Sequence, residues 1–455
     1  MFYNTFYGKS SEKSPQPQKS DSDKPHKEKQ KKVLLPSLKY PNAPLIERDV
    51  DFAEPPNCSC CNHKMIDSGM TENSEYLTVV PAQYVVIRQK RHKYRCGKCH
   101  GDLQTAPALP RIVPGSVYSD EMIVDVALTK YCDLIPIERY TAIAGRSGLE
   151  GLPQNSLIDS THKLADFVQS AHIKLKNEVI SSPILFADET PHRMLEGDDK
   201  SNWFLWGFST PIASYYEAHN TRSGSVASNL LINSQCEYLV SDVYSGYNKS
   251  VRDTNETRNL LNLEKNLNLP TIKNIYCNAH ARRKFHDALD HYPDEAQFFI
   301  DQYQEIYKLN GLTKDKPPNE VLMLKTQMKP FFEAMKCKAM ELFGGYPAKS
   351  AIGKALAYFL RNYNEFTAFI NHPDLPIDNN AQERLLRNPV IGRKTWYGTH
   401  SKRGAQTAVV LFSLVESCKL NKINPREYFK NLVQDLHQGK SAYTPKEFKD
   451  LHKTH

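Results

Sequence analysis

A chain of 455 residues is too long for one ordinary domain, and its 40% hydrophobic content is enough for two or three folded units with cores of their own. No run of about eighteen apolar residues occurs and the N-terminus is polar and Lys-rich, so neither a membrane span nor a secretory leader is expected and the protein reads as soluble and intracellular. A net charge of +8 suits a polyanionic partner without specifying one. Of ten cysteines, Cys58, Cys60, Cys61, Cys96 and Cys99 crowd one stretch, which favours a metal site in a reducing compartment over a disulfide framework.

Residues 1–45 are rich in Ser, Lys, Pro and Gln and carry too little apolar surface to offset their ordering entropy. They read as a disordered basic tail, serving either phosphate contact or solubility. Residues 46–112 read as a zinc-ribbon-like unit. Cys58-x-x-Cys61 and Cys96-x-x-Cys99 form two knuckles, separated by strand-like runs at 76–80 and 84–87, and four thiolates close a tetrahedral structural Zn²⁺ site. Small core cysteines, the bland alternative, leave the paired spacing unexplained. Cys60 is surplus, and His63, His92 and His100 read as surface residues. The strand leading into the second knuckle carries Arg88, Lys90, Arg91, Lys93 and Arg95 with Tyr84 and Tyr94 interleaved, a density suited to DNA phosphates or merely to solubility.

Residues 113–180 read as helical. Ser119 caps a helix that opens with Asp120 and Glu121 and runs to Tyr131; a helix over 137–144, a glycine-marked turn at 145–151 and a long amphipathic helix over 156–179 follow. Helix, turn and helix are compatible with a helix-turn-helix DNA-binding region and equally with a plain bundle.

From 181 to 278 the pattern alternates. An apolar run at 184–187, strands at 202–208 and 212–216 around Ser209-Thr210-Pro211, a helix at 223–232, a strand at 237–240, a helix at 260–267 and a strand at 271–277 predict an α/β, RNase H-like core. Residues 279–350 read as a helical insertion, 351–440 as the C-terminal helices of the core and 441–455 as a tail. Within these, 355–370 reads as one helix, Asp378 or Asn379 caps the next and Pro389 ends it, and helices over 405–420 and 425–436 complete the core.

Three acids stand out. Asp188 ends the apolar run on the predicted central strand, Asp242 ends the neighbouring strand, and Glu383 lies one turn into a helix. Such a set holds two divalent cations against a phosphodiester, with Asp188 bridging and Asp242 and Glu383 each completing one side; hard Mg²⁺ or Mn²⁺ suits oxygen ligands. Singly, each acid has a structural reading: a strand-end cap, a turn former, and half of an ion pair with Arg387. Glu189 is expected to face the opposite side of its strand.

Two basic clusters accompany the acids. His280, Arg282, Arg283 and Lys284 follow the fifth strand, where His280 and Arg283 share a helix face suited to a phosphate or to plain solvation. Arg393, Lys394 and Trp396 sit between Gly392 and Gly398, read as a loop that stacks on an unpaired base, with Trp396 as a core anchor the alternative.

Asp188-Glu189-Thr190-Pro191, Ser241-Asp242-Val243-Tyr244-Ser245-Gly246-Tyr247, Ala279-His280-Ala281-Arg282-Arg283-Lys284-Phe285, Asp378-Asn379-Asn380-Ala381-Gln382-Glu383-Arg384 and Gly392-Arg393-Lys394-Thr395-Trp396 resemble, in order, the motifs of the transposases of the insertion sequence 66 family. Lys93-Tyr94-Arg95-Cys96, Ala106-Pro107 and 116–140 resemble it too, so the likeness covers about residues 50–440. It implies a DDE transposase with an N-terminal zinc-binding domain and a helical DNA-binding region. The catalytic acids carry over onto Asp188, Asp242 and Glu383, with two Mg²⁺ or Mn²⁺ ions per active site. Element ends and target DNA are the implied partners, together with a homo-oligomer on DNA and helper proteins of the same element, in a cytoplasmic, nucleoid-associated setting. The chain departs from the family where Val243 replaces a common glycine and Asn278 a common tryptophan, and in its short N-terminal segment. The rival readings are a DNA-binding protein without catalysis and an RNase H-like nuclease that only hydrolyses.

Overall fold

The computed structural model describes residues 35–452 apart from positions 42, 51, 53, 71, 73, 79–82, 97, 99–102 and 196–201. The tail expected over 1–45 therefore lies outside the described residues up to position 34, as do Cys99, His100, Val79 and Val80. Two compact units divide at Met1–Ala82 and Gln83–His455.

In the first unit a single turn, α1 (Pro36–Lys39), is tied to Glu75 by the Ser37 hydroxyl and N–H at 2.8 and 2.7 Å. Residues 57–64 double back through a bridge between Asn57 and Lys64, with Asn62 in the left-handed region at φ 59°. Residues 76–78 form no strand. Tyr76 and Leu77 are exposed, and a β-propensity run without a partner surface gains nothing by pairing.

In the second unit residues 84–87 are likewise irregular, and the basic ribbon shortens to β1 (Lys93–Arg95) paired antiparallel with β2 (Leu103–Thr105). Ser119 accepts from the Met122 N–H to start α2 (Asp120–Tyr131), and α3 (Ile137–Arg146) is followed by a turn with Gly148 and Gly151 at positive φ. The long helix expected over 156–179 is two helices, α4 (Gln154–Phe167) and α5 (Gln169–Ile180). They break at the buried Val168, where no proline or glycine marks the sequence.

A five-stranded sheet follows, formed by β3 (Ile184–Arg193), β4 (Asn202–Ser209), β5 (Ser214–His219), β6 (Tyr238–Ser241) and β7 (Lys273–Tyr276), with α6 (Ser225–Leu231) and α7 (Ser245–Lys265) between the later strands. The order is β5-β4-β3-β6-β7: β3, β4 and β5 meander antiparallel, while β6 and β7 run parallel to β3. β3 is thus central, as expected. It also continues to Arg193, well past the predicted 184–187, because β4 pairs with it over Phe186 to Arg193. The helix expected at 260–267 starts already at Ser245; the Tyr244-Ser245-Gly246 turn is its first turn.

The sheet separates two cores. On one side Leu185, Ala187 and Leu239 join α2 to α7 and the C-terminal helices; on the other Phe186, Val240 and Ile275 join the helical insertion. That insertion comprises α8 (Asn278–His286), α9 (Pro293–Leu312), α10 (Pro318–Thr326) and α11 (Lys329–Leu342). The stretch read as one helix over 355–370 is α12 (Ala351–Arg361), α13 (Tyr363–Thr367) and a 3₁₀ turn, Ala368–Asn371. Asn278 knits this side together: its amide donates to the Phe366 and Ile377 carbonyls and accepts from the Tyr303 hydroxyl.

Next come α14 (Asn380–Trp396), α15 (Lys402–Leu420), α16 (Pro425–His437) and α17 (Pro445–Leu451). Pro389 does not end α14. A proline inside a helix orphans the carbonyl four residues back, here that of Leu385, and the buried Tyr216 hydroxyl donates to that carbonyl at 2.9 Å. The expected tail at 441–455 is in fact helical over α17, started by a capping box between Thr444 and Glu447 and held by Phe448 against Tyr428 and Tyr443. Among the described residues no helix is long and apolar enough to cross a membrane.

Candidate active site

Asp188 is not a strand-end cap. It lies within β3, opposite Gly207 of β4, at the point where the parallel pairing with β6 has stopped after Phe186. Asp242 occupies the first position after β6, and Glu383 the first turn of α14. The three acids come together. They line one cavity of about 330 Å³ with Glu189, Thr190, His280, Asn379 and Arg387.

Asn379 assembles the site. Its amide donates to the Ala187 carbonyl at 3.0 Å, directly before Asp188, while its backbone N–H donates to the Cys277 Sγ at 3.2 Å at the end of β7. One residue therefore fixes the start of α14 against two strands. Its Oδ1 is buried and accepts no hydrogen bond from the described residues. By sequence Asn379 reads only as a cap, although its place inside the Asp378-to-Arg384 motif is a usable signal. Asp378 is held by the Tyr307 hydroxyl at 3.1 Å and by Asn380.

The electrostatics favour a cation. Burial first, and then the neighbouring Glu189 and Asp242 charges, push the Asp188 carboxyl up to about 8, and burial raises Asp242 as well. Asp242 Oδ1 and Glu383 Oε1 are buried without hydrogen bonds from the described residues; His280 Nδ1, likewise without one, faces Glu383 Oε1 at an ion-pair distance of 3.6 Å. Buried anionic oxygens without donors are costly unless a cation meets them. The ligand atoms of Cys277, His280 and Glu383 lie within 4.8 Å of one another. The three carboxylates share the cavity without forming such a tight trio. Their oxygen donors fit hard divalent ions.

Glu189 also lines the cavity instead of facing wholly away, but its carboxylate is engaged: Tyr247 donates to it at 2.6 Å and Arg222 at 2.7 Å. Glu383 and Arg387 both line the cavity, so the surface ion pair expected between them is not needed to explain either.

The basic residues separate into two groups. His280 lies in the cavity; Arg393 is not among the residues lining it, but its guanidinium stands 3.4 Å from the hydroxyl of Thr190, which is. Arg282, Arg283 and Lys284 sit on α8, where Lys284 Nζ stands 4.5 Å from the centre of the Tyr358 ring. Arg88, Lys90, Arg91, Lys93 and Arg95 are all exposed. Lys394 is exposed on the last turn of α14. The segment read as a base-stacking loop is helical as far as Trp396, which is half-buried edge-on to Tyr131 with Lys130 5.3 Å from its ring centre. Gly392 lies beneath that ring, since a Cβ there would come within 2.6 Å of it. Trp396 thus packs against the core with part of its ring exposed, an arrangement that suits the anchor reading without excluding the stacking one.

In the first unit, Cys58 begins a tight turn in which its N–H donates to the His63 carbonyl and its carbonyl accepts from Asn62. Backbone N–H groups of Cys60 and then Cys61 lower the Cys58 thiol's pKa, which favours the thiolate that binds metal. Cys96 directly follows β1 in the second unit.

The family model described as "Transposase IS66 family" matches residues 115–407, and that described as "zinc-finger binding domain of transposase IS66" matches residues 55–100. The chain is 24% identical over 416 residues to uncharacterized protein y4hP of Sinorhizobium fredii, covering 85% of this chain and 72% of that protein. It is similar to uncharacterized protein y4jD of the same organism at 24% identity, covering 85% and 75%. Uncharacterized protein y4qI is 25% identical, covering 87% and 73%.

Proposed function

The chain belongs to the IS66 transposase family, and from that premise we propose that it binds the ends of its own element and catalyses divalent-metal-dependent strand cleavage and strand transfer. The sheet order with Asp188 on the central strand is the basis for reading the core as RNase H-like. One observation carries the catalytic assignment: Asp188, Asp242 and Glu383 arrive from three separate elements in one cavity, and Asp242 and Glu383 each bring to it a carboxylate oxygen that no described donor satisfies.

Mg²⁺ or Mn²⁺ ions held there would neutralise charge on the phosphodiester and acidify the attacking water or hydroxyl. Asp188, centrally placed, suits a shared ligand, with Asp242 and Glu383 on either side; the looseness of the trio suits two ions better than one. Arg222 and Tyr247 hold Glu189 in place beside Asp188. Asn379 keeps α14 docked so that Glu383 stays opposite the strands. His280 and Arg393 are positioned to contact the scissile phosphate.

The zinc-finger match spans both Cys-x-x-Cys pairs, and Cys58, Cys61, Cys96 and Cys99 are assigned as ligands of one structural Zn²⁺. DNA is the partner of the Arg88-to-Arg95 ribbon and of the α8 cations. The protein acts on DNA as a homo-oligomer, with helper proteins from the same element. The test is an in vitro assay on DNA flanking the gene. Mg²⁺-dependent nicking separates this reading from a DNA-binding protein without catalysis, and joining of a 3′ hydroxyl to target DNA separates it from a nuclease that only hydrolyses.

A further inference from the structure

A second cavity, of about 570 Å³, opens between the end of α11, the following loop and α12. Its walls include Val243, Phe343, Tyr346, Lys354, Tyr358 and Arg361. None of the residues lining it is acidic, in contrast to the carboxylate cavity. The two are adjacent along the chain: Val243, in the wall of this cavity, directly follows Asp242, which lines the other. Behind the Tyr358 ring stands Lys284, and Lys354 and Arg361 are exposed at the mouth. Phe343, which caps α11, is 57% exposed, an aromatic face that no core residue covers.

Aromatic rings flanked by cations form a site for a stacked base and its phosphate, and the one carboxylate bonded to the wall, Glu295, is engaged by the Tyr346 hydroxyl. The volume lies within the roughly 300–1,000 Å³ of sites that hold one small ligand, too little for a folded partner or a duplex. An apolar ligand would leave the cations without purpose. We propose that this cavity receives one unpaired nucleotide of the bound DNA beside the scissile phosphate, its base against Phe343 and Tyr358 and its phosphate towards Lys354 and Arg361. The inference rests on the DNA reading above and adds to it a single-stranded subsite between the end of the insertion and α12.

The test uses the full chain and two probes of the same generic sequence: a blunt duplex, and a duplex with a short overhang carrying 2-aminopurine at its first unpaired position. Wild type should favour the overhang and change the 2-aminopurine emission on binding. Phe343→Ala should lower that preference by about 5- to 100-fold and Arg361→Gln, which removes a phosphate contact, should lower it too, both at exposed positions and with blunt-duplex affinity and melting temperature unchanged. Should Phe343→Ala prove unstable, Arg361→Gln carries the test alone. An undiminished preference in a folded variant overturns the proposal while leaving the transposase reading intact if the protein still nicks DNA. A wild type that binds neither probe, or shows no preference for the overhang, overturns the proposal; the transposase reading falls only if the protein also fails to nick DNA flanking the gene.

Discussion

Around Asp188, Asp242 and Glu383 the backbone is fixed by partners distant in sequence, whereas none of the described residues from 35 to 106 is buried. The carboxylate region takes its geometry from a sheet with a core on each face. The cysteine region has Val50, Ile66 and Val86 more than nine-tenths exposed, and its regular structure amounts to single turns and two three-residue strands. One region is held by apolar burial, and the other needs a different source of folding energy. A closed thiolate site is such a source, since metal binding there contributes directly to folding.

The largest effects should come from breaking the first region chemically without unfolding it. Asp188→Ala, Asp242→Ala and Glu383→Ala should each take strand cleavage below detection while duplex binding in a mobility-shift assay stays near wild type. Retained cleavage in any one would remove that residue from the site.

Breaking the second region should do the reverse. Metal analysis should find one Zn²⁺ per chain, and Cys96→Ser or a strong chelator should expose residues 55–100 to protease and weaken DNA binding, while the main thermal transition of the sheet stays in place. Protein that carries no zinc when purified without chelators would contradict this.

Two substitutions probe the packing that holds α14. Trp396→Ala should cost about 2–3 kcal/mol in denaturant unfolding, somewhat below the loss of a fully buried aromatic. If stability is unchanged and only joining slows, Trp396 is a DNA contact after all. Tyr216→Phe strips the Leu385 carbonyl of its donor and should cost about 1–3 kcal/mol. That loss of stability should be restored by Pro389→Ala, which returns the helical N–H; failure of the rescue would show that the hydroxyl acts elsewhere.

The smallest effect belongs to the exposed ribbon. Neutralising Arg88, Lys90 and Lys93 should leave folding untouched and reduce the slope of log K against log salt by about 0.9 for each DNA phosphate these side chains neutralise. An unchanged slope would assign these cations to solubility.

The sequence by itself determined the carboxylates, the alternation of strands and helices and the paired cysteines, because each is written in local spacing: an acid after an apolar run, a period, a Cys-x-x-Cys. Ser119 as a cap is equally local, and so is the Thr444-to-Glu447 capping box, a legible signal masked by the polar, tail-like composition around it. Tertiary structure alone decided the rest. Pro389 ends a helix by every local rule, yet α14 continues because Tyr216, from β5, supplies the missing donor. Asp188 falls mid-strand because β4 pairs on past the point where β6 stops. Trp396 reads as a loop aromatic until α2 is seen to cover it. In each case the deciding partner lies far along the chain, and only folding brings its hydrogen bond or its surface within reach.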